Sequence, residues 1–145
     1  SRESGTMAMN QKTVQRISKD QQQDNILEEL RREKAAVLAR AGWAVEEVID
    51  KLEHIEREIQ LKLSFLNAEK NNDDCHELLS RKKTICEEIN AHVEAFNAFR
   101  QKAQIKYYYL IVTREALGLR RHEMVQKMYR IPDKKKKIEL QNGSI

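Results

Sequence analysis

Four histidines, His54, His76, His92 and His122, and two cysteines, Cys75 and Cys86, are the side chains of this chain best suited to hold a metal or act as nucleophiles. Their spacing argues against both roles. No two histidines stand four residues apart and none follows a Glu-x-x-His pattern, the arrangements by which one helix face presents metal ligands. Cys75 precedes His76, but neighbouring helical positions point about 100° apart, so the pair is no thiolate–imidazole couple. Cys75 and Cys86 are eleven residues apart on one expected helix, roughly 16 Å along its axis, too far for a disulfide. They read as free thiols of a reducing compartment. Acidic residues sit at helical spacing from basic ones, as in Glu53 with Arg57 and Glu58 with Lys62, a pattern of solvated faces. No glycine-rich phosphate loop or Ser-His-Asp arrangement is present. The sequence therefore predicts no enzyme, no metal, no cofactor and no small-molecule substrate.

The elements that must position these residues are helices. One proline and four glycines in 145 residues, with 34% charged residues, describe a chain of helix formers with little of the punctuation that sheets require. Ala41, Val45, Val48, Leu52, Ile55, Ile59, Leu63 and Leu66 step by three or four, an apolar seam on one helix face. A second seam runs through Leu78, Lys82, Ile85, Ile89, Val93, Phe96, Phe99, Ala103, Tyr107 and Leu110, with Lys82 its one charged member. Between them Asn71, Asn72, Asp73 and Asp74 compete for backbone hydrogen bonds, and Asp74 with Glu77 reads as a capping box. The expected fold is all-α: a long antiparallel, coiled-coil-like hairpin of helices over 24–70 and 75–117, followed by a short third helix over 119–130. A turn centred near Asn72 sets Val45 opposite Phe99, Val48 opposite Phe96, Leu52 opposite His92, Ile55 opposite Ile89 and Ile59 opposite Ile85.

Residues 1–23 read as a tag remnant followed by a polar, frayed or disordered stretch, with helix starting at an Asp24 or Asn25 cap. Gly42, inside the first helix, reads as an ordinary tolerated glycine at about 1 kcal/mol relative to alanine, with a bend or a close helix contact as the alternative. Gly118 is placed to take a left-handed cap at the end of the second helix. Met124, Met128 and Ile131, with Val125 beside them, make the expected inner face of the third, Pro132 ends it, and 132–145 reads as a basic, flexible tail. No run approaches the ~18 apolar residues of a membrane span and no signal peptide is seen, so a cytoplasmic location is expected.

A hairpin buries one stripe per helix, and this chain has apolar side chains to spare at the end away from the turn. Val37, Leu38, Trp43, Tyr108, Tyr109, Ile111 and Val112 form the expected partner or oligomer interface. Trp43 is the only tryptophan. Two copies joined there would make a four-helix arrangement. Tyr107, Tyr108 and Tyr109 are consecutive, hence spread over about 200°, and cannot form one base-stacking platform.

The formal charge is +4, yet Arg120 to Lys137 alone holds eight Lys or Arg against Glu123 and Asp133, leaving −2 for the remainder. Within it, Leu117-Gly118-Leu119-Arg120-Arg121-His122-Glu123-Met124, with Met128, resembles the turn and second helix of a Fis-type helix-turn-helix. Arg114 departs from that pattern, which has a small residue four before the glycine. The resemblance covers about 15 residues and implies that Arg120, Arg121, His122 and Lys127 face DNA, with Lys134, Lys135, Lys136 and Lys137 on phosphates. The expected function is a noncatalytic helical interaction or assembly module whose partner is a second copy or another helical protein. Nucleic-acid binding, with the hairpin as dimerisation element, is the alternative.

Overall fold

The computed structural model describes residues 2–68 and 76–140, with side chains described from Ser18 onward. It is helical throughout its regular structure: α1 (Arg2–Ala68), α2 (His76–Ala116) and α3 (Glu123–Met128), with no strand among the described residues. The turn and its capping box at Asp74 lie outside the described residues. The helix α1 begins well before the anticipated cap at Asp24. Residues 2–23 contain no proline and include five Gln, two Lys, two Arg and two Met, so propensity carries the helix where no apolar face is needed.

The chain packs as two units, residues 1–39 and 40–145. In the first, Glu28 pairs with Arg31 and Arg32 at helical spacing, and Ile26, Leu27, Leu30 and Val37 are exposed. The second contains the hairpin. Its core follows the two seams, with Val45, Val48, Leu52, Ile59 and Leu66 from α1 and Ile89, Val93, Phe96, Ala103 and Leu110 from α2 buried. Lys82 is buried with them, as its seam position requires, and Cys86 adds a buried thiol that the spacing had not placed there.

Contacts run in opposite directions along the helices. Ile59 and Leu66 cluster with Ile89 and Val93, Val48 and Leu52 with Phe96 and Ala103, and Val45 with Leu110. Ile55 packs on the cluster containing Ile89, as the expected register has it. Val48 shares a cluster with Phe96 and Ile85 packs on the cluster of Ile59, again as that register has it, whereas at the open end Val45 clusters with Leu110 instead of Phe99. Near the turn Lys62 Nζ lies 2.6 Å from Glu88 Oε2, an ion pair across the helices that holds the Glu88 carboxyl below its usual range.

The end of α2 is set by local backbone chemistry. Gly118 has φ +89°, its N–H donates to the Glu115 carbonyl at 3.0 Å, and the Leu119 N–H donates to the Arg114 carbonyl at 2.9 Å. These two bonds are a Schellman cap with glycine in the left-handed position. The third helix is shorter than expected and rotated. Val125 is the residue it buries, against Val45 and Leu110, while Met124 and Met128 are 78% and 64% exposed. The expected inner face through Met124 and Met128 is thus the outer one. Six residues make fewer than two turns, so one anchor decides which side faces in.

Candidate functional site

Beyond α3 the described residues have no regular secondary structure, yet they lie along the hairpin as far as Leu140. The contacts proceed from the open end toward the turn. The Tyr129 hydroxyl donates to Glu46 Oε1 at 3.0 Å, and burial pushes its ionisation above the usual phenolic value, with the Glu46 hydrogen bond adding to that rise. Ile131 packs on the Val48–Leu52–Phe96–Ala103 cluster, and Ile138 and Leu140 pack on the cluster of Ile59, Leu66, Ile89 and Val93. The reading of 132–145 as a flexible tail assigned none of these contacts.

Gly42 matters to how this segment starts. A Cβ built there would stand 3.2 Å from the Tyr129 hydroxyl, so the glycine leaves room for that hydroxyl to reach Glu46 one turn further along α1. Its role is a close approach between helix and segment, in place of the ordinary tolerated glycine expected.

Asparagines on α2 hold the segment by its backbone. Asn97 Nδ2 donates to the Lys135 carbonyl at 2.9 Å, and the Lys135 N–H donates to Asn97 Oδ1 at 2.9 Å. Asn90 does the same for Ile138, with both bonds 2.8 Å. A side-chain amide carries the donor and acceptor of a peptide group, so each asparagine closes a ring with one residue of the segment. Seven helical residues advance about 10.5 Å and three residues of extended chain about 9–10 Å, which explains why clamps seven apart meet residues three apart. One step earlier the occupant is Pro132, which has no N–H to offer. There Arg100 Nε donates to its carbonyl at 2.8 Å, a donor alone where an asparagine would leave its oxygen unmatched. The segment runs antiparallel to α2.

Lys135 adds a side-chain address. Its ammonium pairs with the Glu56 carboxylate and stands 4.9 Å from the centre of the Phe96 ring, a cation–π distance. That hydrogen bond holds the Glu56 carboxyl below its ordinary value, against the opposing effect of burial. At the far end the Ile138 carbonyl lies 3.7 Å from Cys86 Sγ, and burial, followed by the charge of Glu87, pushes the Cys86 thiol up. A cleft of about 750 Å³ remains where the segment enters, between Ile49, Leu52 and Phe96 on the hairpin and Arg130, Pro132 and Lys134 on the segment.

The sequence-predicted residues are distributed differently. Trp43, Tyr108, Tyr109 and Val112 are exposed, the first three by 64%, 63% and 58%, and Val37 is exposed in the first unit. Leu38 is half-buried, and Ile111 packs onto the cluster of Val45, Leu110 and Val125. The Tyr108 and Tyr109 rings are 6.2 Å apart and tilted by 59°.

In the basic region Arg120, Arg121, Lys127, Lys134, Lys136 and Lys137 are exposed, while His122 and Lys135 are half-buried. Arg114, the departure from the Fis-type pattern, secures the turn: its Nε donates to His122 Nδ1 at 3.2 Å and its terminal nitrogen to the Arg121 carbonyl at 2.9 Å. With Nδ1 accepting, the His122 proton sits on Nε2, which lies 3.2 Å from Glu115 Oε1. Arg120, Arg121 and His122 therefore precede the six-residue helix instead of lining it.

Among the described residues no three of His, Cys, Asp and Glu gather in a metal-binding arrangement, and no helix is long and apolar enough to cross a membrane. Asn90 and Asn97 went unread in the sequence. The available signal was a pair of amides seven apart beside the α2 seam, together with apolar Ile131, Ile138 and Leu140 in a segment otherwise polar. No protein-family model, curated protein or solved structure matches the chain.

Proposed function

We propose that this protein is a noncatalytic helical assembly module of the cytoplasm that self-associates through the open end of its hairpin, two copies making a four-helix arrangement. One observation carries the reading. Trp43, Tyr108, Tyr109 and Val112 stay exposed even though α3 already covers the neighbouring cluster of Val45 and Leu110. Large aromatics are enriched at the centres of protein interfaces, where each buries much area at little entropic loss. Antiparallel helix pairs associate readily into bundles through such faces.

Sedimentation equilibrium tests this. The wild type is expected to dimerise at micromolar concentration, with a blue shift of the single tryptophan's emission on association. Trp43→Ala or Tyr109→Ala should weaken the dimer by roughly 30-fold or more, the scale of an interface hot spot. A compact monomer at tens of micromolar refutes the proposal. Association that instead needs nucleic acid, falls steeply with salt and is lost on neutralising Arg120, Arg121, Lys136 and Lys137 would favour the nucleic-acid reading.

A further inference from the structure

We infer that the groove of Asn90, Asn97 and Glu56 is a binding site for an extended peptide in trans, and that its occupant is residues 130–140 of a second copy of this chain. The site is built to read a peptide. Two amides each take the N–H and carbonyl of one backbone residue, Arg100 takes a third carbonyl, Glu56 takes a lysine three residues before an apolar side chain, and the Ile59–Ile89 cluster takes that apolar side chain. Every one of these contacts is noncovalent, and the identical segment of another copy satisfies all of them.

Three observations favour exchange. First, the segment is joined to the hairpin by stretches without regular structure on both sides of a six-residue α3, so a hinge after Tyr129 lets Val125 stay at home while 130–140 leaves. Second, a cleft of about 750 Å³ opens at that hinge between Arg130, Pro132 and the hairpin. Third, the Lys135 ammonium and the Glu56 carboxylate are complementary in charge, and the lysine of a second copy meets that carboxylate equally well. Reciprocal exchange of identical elements preserves the native contacts and needs only a permissive hinge.

The test is complementation between two full-length variants, both carrying Trp43→Ala and Tyr109→Ala so that association through the aromatic end does not contribute. One has a disabled groove, Asn90→Ala with Asn97→Ala. The other has a disabled segment, Lys135→Glu with Ile138→Asp, which sets a carboxylate against Glu56 and another against an apolar cluster. Mixed, they should form a one-to-one heterodimer by sedimentation, because an intact segment then faces an intact empty groove. Separately, each should be monomeric. A labelled synthetic peptide of residues 129–145 should bind the segment-disabled variant and lose roughly tenfold or more in affinity for each asparagine removed. Helix content by circular dichroism is compared throughout, and if the double groove variant loses helix, Asn97→Ala alone replaces it. A mixture that sediments as two monomers overturns the inference even where the peptide binds, and failure of peptide binding overturns the site itself. Neither result bears on the dimer proposed for Trp43 and Tyr109 in the wild type.

Discussion

Removing one asparagine clamp has a consequence that can be worked out from the geometry. Asn97→Ala deletes both hydrogen bonds to Lys135 and touches neither Cys86 nor Ile138. A partly buried neutral hydrogen bond contributes about 0.5–1.5 kcal/mol net, so the pair holds the docked segment by about 1–3 kcal/mol, a roughly 5- to 150-fold change in the open population. Cys86 reports that opening. It is buried, it contacts the Ile138 carbonyl, and burial pushes its thiol pKa up, all of which suppress thiolate chemistry while the segment is in place. In a Cys75→Ser background, the rate of Cys86 modification by a disulfide reagent under native conditions should rise by that factor in Asn97→Ala, provided reclosing outpaces labelling. Lys136→Ala, a change to an exposed side chain of the same segment, should leave it unaltered. If Asn97→Ala labels within twofold of the parent while remaining helical, then 132–140 is not released as a unit, and the clamp adds nothing to docking.

Two further outcomes follow from named contacts. Gly118→Ala should lower stability by about 1 kcal/mol, read as a drop in melting temperature: nothing stands near the added Cβ, so the whole loss comes from forcing φ +89° on a residue with a side chain. The Lys135–Glu56 pair should be lost in acid. Because the folded carboxyl titrates below its ordinary 4.5, its contribution is present above that value and vanishes as pH falls through the lower, folded one. Amide exchange at Lys135 should accelerate in that window and Glu56→Gln should remove the dependence. The Glu88 carboxyl is also held below its ordinary value by Lys62, so a signal local to the segment is the one to follow.

The class and direction of the hairpin were legible because periodicity is a property of each helix alone. The seams through Val45–Leu66 and Ile89–Leu110, the burial of Lys82 and the glycine cap at Gly118 all follow from 3.6-residue repetition and from the backbone freedom of glycine. The exact register was beyond counting from the turn, since it depends on how tilted side chains interleave between two helices. So was the face of α3, where Val125 packs with Val45 and Leu110 while Met124 and Met128 stay exposed.

The placement of residues 130–140 belongs wholly to the tertiary structure. Composition describes that stretch as basic and polar, and an extended segment has no internal periodicity to betray its partner. Its position is decided by atoms far away in sequence, the amides of Asn90 and Asn97, the carboxylate of Glu56 and the space left at Gly42, which come within reach of it only once the two helices have closed on each other.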